Sequence, residues 1–488
     1  MAVTTNDSAL EGCDSSGEIG TDGKDAAPSP GGLGTRHLQI LLMFLGMMLG
    51  YSLRVSMSVA IVAMVDKSTA NPNMKEYDWN QEIQGLLLSS FFWGYAITQV
   101  PSGYLARVWS ARKVLALGLF FCGLVNAVIP VAGDYADWGA VCACRVIMGL
   151  CQGCLLPCIH TLLSSWVPPS ERARLGTFAY AGAPAGMVIA MPISGLLAAS
   201  ALGWPSIFYI FGALGMCWGL AFFYYGADSP AVHSSISQEE KLYIEASLGT
   251  SSSEKENGNQ EKLKIPWVKI LTSLPMWALI ITHCCQNWGY WILVTKIPLF
   301  MKSVLGFDIK DNGFYSALPY LAMWMLSIPI SWLSDFALKK GATKGFARKV
   351  SNSIAFLGPA AALISLCFVD ADNKSLAVFI LVLAVAFNAG SVCGFQINHI
   401  DLSPNFAGPM MSITNCMASI VAILAPILAS VVVYDEENVS LWHIIFYISA
   451  GIYVVGDAVF VLFGQGEVQP WNDPDVVPEK HKVISDKP

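Results

Sequence analysis

Apolar residues fill the chain in runs about twenty residues long, each closed by a short polar patch. Twenty residues of helix span the roughly 30 Å hydrocarbon core of a bilayer. Twelve such runs stand near 37–65, 83–106, 113–133, 139–163, 174–200, 206–226, 274–300, 312–335, 350–369, 375–397, 406–433 and 441–464. Lipid-facing strands would alternate apolar and polar positions over about ten residues, and these runs do not. The pattern predicts an all-α membrane protein of twelve transmembrane helices in two sets of six, over 36–226 and 271–464.

The polar stretches divide the rest. Residues 1–35, with "DSSGEIGTDGKDAAPSPGG", have the Gly, Ser, Pro and Asp content of a disordered tail. They lack the basic start and short apolar core of a cleaved signal, so insertion falls to the first helix. In the central loop, 227–270, "SISQEEKLYIEASLG" predicts a surface helix and "TSSSEKENGNQEK" a flexible linker. Residues 465–488 form a second polar tail.

Composition agrees with a bilayer: 54% of residues are hydrophobic, 13% are charged and the mean hydropathy is +0.53. Basic residues favour cytoplasmic loops. Arg107, Arg112 and Lys113 follow the second run, Arg172 and Arg174 the fourth, and Lys339, Lys340, Lys344, Arg348 and Lys349 the eighth. The alternate loops hold Asp134 and Asp137, then Asp370, Asp372 and Lys374, then Asp435, Glu436 and Glu437. Both termini and the central loop are therefore expected in the cytoplasm. The sequons at Asn373 and Asn438 then fall on the opposite side, where glycosylation can occur, while Asn6 in the tail should stay bare. The net charge of −7 comes largely from tails and outer loops. No basic stripe with interleaved aromatics suggests nucleic acid. Twelve of the thirteen cysteines lie in or beside apolar runs and read as small packing residues rather than metal ligands.

Three strong cations lie well inside runs: Arg54, Arg145 and Lys296. Each costs about 2.5–3.5 kcal/mol on insertion scales, so each should face protein or an aqueous cavity. At about 100° per residue, Arg145, Gly149, Gln152, Leu156 and His160 share one helix face, with Gly149 leaving room beside the guanidinium and Pro157 bending the helix. Converging cations with few buried acids make an electropositive cavity suited to anions. A guanidinium grips carboxylate or phosphate through two parallel hydrogen bonds. The alternatives are a structural Arg145 bonded to helix carbonyls, a Lys296 that snorkels to the interface near Lys302, and a structural His160. Asp457, alone in the last run, could pair with a cation, sit protonated or face water.

The halves repeat. "SGYLARVWSARKVLALG" after the second run resembles "SWLSDFALKKGATKGFARKVSNSIAFLG" after the eighth, both ending in Arg-Lys-Val. Two matching six-helix halves resemble the major facilitator superfamily. Its loop motif carries an early Asp, supplied here by Asp335, whereas Arg107 holds the equivalent place in the first half. "YSLRVSMSVAIVAM", "SSFFWGYAITQVPSGYLA", "SSWVPPSERARL", "AGMVIAMPISG" and "GFQINHIDLSPNFAG" are similar to the anion/cation symporter family of that superfamily, from about residue 37 to 472. The family contains sodium–phosphate cotransporters, sialin and vesicular glutamate transporters.

The resemblance implies substrate contact for Arg145 and Arg54, which match the family's fourth- and first-helix arginines. Lys296, Gln152, His160 and Gln286 are further candidates for substrate contact; Gln152 stands where the sialin and vesicular glutamate branches carry an acid, and Gln286 where the latter has a cation, while Leu88 replaces that branch's histidine. Glutamine in the fourth-helix motif resembles the sodium–phosphate branch. "NHID", holding Asn398, His399 and Asp401, is expected to cap or lock a cytoplasmic gate with the loop residues Asp335 and Arg348. There is no P-loop, HExxH or GxSxG, so the expectation is a transporter rather than an enzyme. It would work without a cofactor, as a monomer in the bilayer, in the plasma membrane or a vesicle or lysosome membrane. Sodium-coupled symport of phosphate or a similar small anion leads, with proton-coupled organic-anion transport as the alternative.

Overall fold

The computed structural model describes residues 32–65, 71–248, 264–305, 309–369, 373–435 and 437–472. The first-half helices are α1 (Thr35–Val65), α2 (Gln81–Leu105), α3 (Ala111–Gln152), α4 (Leu155–Trp166), α5 (Arg172–Ala199) and α6 (Pro205–Tyr225). The central loop carries α7 (Gln238–Leu248) and α8 (Trp267–Leu271). The second half comprises α9 (Leu274–Ser303), α10 (Ile309–Lys339), α11 (Lys344–Leu366), α12 (Lys374–Ala386), α13 (Ile397–Leu402), α14 (Ala407–Val432) and α15 (Val439–Phe463).

Helices and crossings do not correspond one to one. The continuous helical stretch Ile83–Trp166 has 84 residues, about 126 Å at 1.5 Å per residue, and folds into three crossings. It turns first through a π-helical segment, Ala106–Ser110, and again at Ala136 and Asp137. Asp137 takes a positive φ of 55° there, which short polar side chains tolerate best among residues other than glycine. Its carboxylate accepts from Trp79 Nε1 at 2.8 Å, and Asp134 accepts from Lys75 Nζ and the Tyr77 hydroxyl, each at 2.9 Å. Partial burial and the bond to Asp134 push the Tyr77 phenol up. The tenth crossing is also broken, running from α12 through a 3-10 turn (Phe387–Ala389) and a π segment (Val392–Gln396) into α13. All twelve apolar runs of the sequence thus appear as helical crossings among the described residues. Since twelve is even, the start of α1 and the end of α15 share one face, called the termini face below.

Helices α1 to α6 pack into one bundle and α9 to α15 into another, which meet through α5 on α10 and through α2 and α4 on α14. Small residues set the spacing. A methyl group placed on Gly149 would lie 2.0 Å from the Phe91 carbonyl oxygen, and one on Gly94 would lie 2.1 Å from that of Val146. The room at Gly149 therefore belongs to the backbone of α2, not to the Arg145 guanidinium as the helical wheel suggested.

The expected surface helix is α7, and it is anchored. Buried Glu240 accepts from the backbone N–H groups of Thr35 (2.8 Å) and Arg36 (3.1 Å), and from Arg36 Nη1 at 3.1 Å. This carboxylate caps the start of α1, where a helix favours negative charge. Asn373 and Asn438 are exposed on the face opposite the termini. The Asn6 sequon, the first tail up to residue 31 and the linker "TSSSEKENGNQEK" lie outside the described residues.

Candidate functional site

Between the bundles lies a cavity of about 380 Å³ whose wall includes Arg54, Arg145, Gln286, Asn287, His283 and a set of aromatic rings. Its exposure is graded. Along α1, Arg54 is buried and Ser58 exposed; along α9, His283 and Gln286 are buried, Asn287 and Trp291 half-buried and Thr295 exposed. Both helices run outward from the termini face, so the cavity opens on the opposite face.

Arg54 is caged. Its guanidinium carbon lies 4.5 Å from the ring centre of Tyr95, 4.6 Å from Tyr51, 4.7 Å from Phe91 and 5.8 Å from Phe92. Nη2 donates to Gln152 Oε1 at 3.3 Å, and Nε has no partner. Arg145 also lies over Phe91, at 5.1 Å, and its Nε reaches the Leu87 carbonyl oxygen at 3.4 Å. Its buried Nη1 has no hydrogen-bond partner. One aromatic ring, Phe91, thus serves both cations, with cation–π attraction standing in for counter-charges. No Asp or Glu stands among the described lining residues. Two guanidiniums with unsatisfied donors, and no acid among the described lining residues, give the cavity the chemistry that suits an anion.

Some expected site residues sit elsewhere. Gln152 is off the cavity wall, donating to the Gly50 carbonyl at 2.9 Å while orienting Arg54. Lys296 is half-buried, and the wall passes through its neighbour Thr295 without including it. His160 lies below the floor, between the halves. Its Nε2 lies 3.0 Å from the Gln396 carbonyl oxygen, which fixes that nitrogen as the N–H, and Nδ1 receives the Tyr180 hydroxyl. Gln286 does line the cavity, with Asn287 Nδ2 donating to it at 3.2 Å. Sequence reasoning missed His283, buried on the wall with Nδ1 unpartnered.

The termini face is closed by ions. Asp401 accepts from Arg172 Nη1 of the first half at 2.8 Å and from Arg348 Nε of the second at 2.7 Å, all three buried. Asp335 accepts the backbone N–H of Arg174 at 2.8 Å, capping the start of α5 across the interface. In the sequence Arg172 stands only as a marker of orientation; the structure makes it part of this seal. The other "NHID" residues brace this segment: Asn398 donates to the Gln465 carbonyl at 2.8 Å, and His399 bridges the Gln396 carbonyl and Thr414. Asn472 accepts from Ser403 at 2.7 Å, tying the chain after α15 to the same place.

The profile of the Major Facilitator Superfamily matches residues 40–426. The chain is 40% identical over 468 residues to the "Putative inorganic phosphate cotransporter" of Drosophila ananassae, covering 91% of this chain and 95% of that protein. It is 36% identical to human sialin, covering 89% and 90%, and 34% identical to human vesicular glutamate transporter 2, covering 92% and 77%. Among solved structures, the proton:xylose symporter XylE superposes with a TM-score of 0.66 at 16% identity over 89% of this chain and 98% of that one.

Proposed function

The chain belongs to the Major Facilitator Superfamily, as a multi-pass membrane transporter rather than an enzyme, and from that premise we propose that it carries a small anion by cation-coupled alternating access. The observation that carries this reading is the pair Arg54 and Arg145, with unpartnered donors in a cavity that has no acid among its described lining residues. The anion binds from the open face, the cavity closes over it, and the Asp401 cluster parts to release it on the termini face. The termini face is the cytoplasmic one, by the excess of Lys and Arg in its loops.

Sodium-coupled uptake of inorganic phosphate is the first reading. It is supported by the name of the 40% identical Drosophila relative and by the neutral Gln152, which does not titrate. An organic anion in a vesicle or lysosome membrane is the second. The observation favouring it is the aromatic part of the wall: Phe92, Tyr290, Trp291 and Tyr320 offer an apolar body more contact than phosphate has.

Reconstitution into proteoliposomes tests both. Radiolabelled phosphate and glutamate are supplied under a sodium gradient or a pH gradient, each imposed alone. Phosphate uptake lost when choline replaces sodium is the expected result. Uptake of glutamate driven by the pH gradient, undiminished in choline, would move the assignment to the second reading.

A further inference from the structure

Among the described residues of the crossing helices, three buried carboxylates stand out: Asp335 and Asp401, both engaged at the closed face, and Asp457 on α15. Asp457 is different. Its hydrogen-bond partners are both neutral, Asn352 Nδ2 at 2.9 Å and Ser353 Oγ at 3.1 Å, each on α11 and each meeting the same oxygen, Oδ1. An ionised carboxylate held among helices without a counter-cation is costly. The amide beside it is incompletely satisfied too, because Asn352 is fully buried and its Oδ1 has no partner.

We propose that Asp457, Asn352 and Ser353 form a sodium site in the second bundle, separate from the anion cavity. The donor set is the kind a hard cation takes: a carboxylate oxygen, an amide oxygen and a hydroxyl oxygen. Turning the Asn352 amide by 180° exchanges its nitrogen for the unpartnered oxygen at the side facing Asp457. The Ser353 hydroxyl needs only to rotate its proton away to present a lone pair. A bound cation then neutralises Asp457 and gives the orphaned amide oxygen its partner. This deepens the cation-coupled reading above by giving the cation a place.

The location links that cation to both working parts of the protein. Asn352 is one helical turn from Arg348, so the two share a face of α11, and Arg348 holds Asp401 at the closed face. Gly394, in the broken tenth crossing, lies so close to Asn352 that a methyl group there would sit 3.0 Å from the Asn352 backbone nitrogen. On the other side, Thr282 donates to the Gly456 carbonyl at 3.2 Å. Thr282 and Gly456 are the neighbours of His283 and Asp457, which connects the site to the cavity floor.

The test does not require the transported anion. The full chain, purified in detergent, is unfolded by heat in sodium chloride or in choline chloride at equal concentration and pH. A ligand that binds the folded state raises the apparent midpoint with its concentration. Sodium is expected to raise it, Asp457→Asn to abolish that rise, and Ser353→Ala to displace it to several-fold higher sodium. Arg145→Ala should keep the sodium response while losing any response to phosphate or glutamate, so failure of the anion reading stays distinguishable from failure of this one. A wild-type midpoint indifferent to sodium would overturn the site. So would an undiminished sodium response in both Asp457→Asn and Ser353→Ala, or a response to pH in place of sodium.

Discussion

Arg54 and Arg145 share the Phe91 ring but differ in what else restrains them. Arg54 has three further aromatic neighbours and Gln152; Arg145 has one long bond to a carbonyl and an idle Nη1. Arg145 is therefore the side chain with more to gain from a ligand. A hydrogen bond to a charged group contributes about 1.5–3 kcal/mol, and a bidentate grip makes two. Arg145→Ala should lower anion transport by about 100-fold or more while expression and membrane insertion persist, since insertion loses a costly charge. Arg145→Lys should remain poor because an ammonium lacks the planar fork. Half-saturation and maximal rate from labelled uptake measure both. Lys296→Gln should leave half-saturation nearly unchanged, because the cavity wall bypasses that residue. The two arginines were legible in the sequence because a cation inside an apolar run carries an insertion cost. Their aromatic cage was not, since Tyr or Phe occurs in most runs without penalty, and His283 was hidden because a single histidine in such a run has many structural explanations.

At the scale of elements, the twelve runs translated into helices because apolar length is what the bilayer demands. The break inside the tenth run was not legible, because the irregular tenth crossing leaves no polar gap in the sequence, whereas the π turn at Ala106–Ser110 falls in the polar patch between the second and third runs. The repeat did point to a departure at Arg107, and the structure explains it. Asp335 caps α5 through the N–H of Arg174, the third residue of that helix. The third residue of α14 is Pro409, which has no N–H to give. Arg107 instead lies 5.1 Å over the ring of Phe406, just before α14. Helix spacing supplies a prediction of its own. Gly149→Ala must push the Phe91 carbonyl away, at about 1–3 kcal/mol for overpacking, and Phe91 is the ring both arginines use. A lower thermal midpoint together with weaker anion binding is expected, whereas Gly139→Ala in the same helix, with nothing within 4 Å of the added methyl, should change neither.

For the whole molecule, the sequence disclosed two halves and a basic face, but not the state in which the halves meet. That depends on which partner each gate residue finds, and residues far apart in the chain leave no shared pattern. Asp401 is 229 residues from Arg172 and 53 from Arg348, yet its one carboxylate holds both halves together. Asp401→Asn would leave two buried guanidiniums without the carboxylate they share on the closed face. Breaking one side of a buried ion pair costs about 3–5 kcal/mol, and moving an equilibrium from 1:99 to 99:1 takes about 5.5 kcal/mol. Opening this face hydrates both arginines and recovers much of that cost, so the variant should populate the form open to the termini side. Removing Arg172 alone leaves Asp401 its bond to Arg348, and the shift should be smaller. Cys393 reports the difference. It is buried against Thr177 of the other half at 3.0 Å, and parting of the halves must uncover it. Site-resolved mass spectrometry after treatment with a membrane-impermeant maleimide from the termini side should find Cys393 protected in the wild type, modified fastest in Asp401→Asn and at an intermediate rate in Arg172→Gln. Equal protection in all three would mean that these charges do not hold the face shut, and that the seal rests instead on the packing of α14 against α2 and α4.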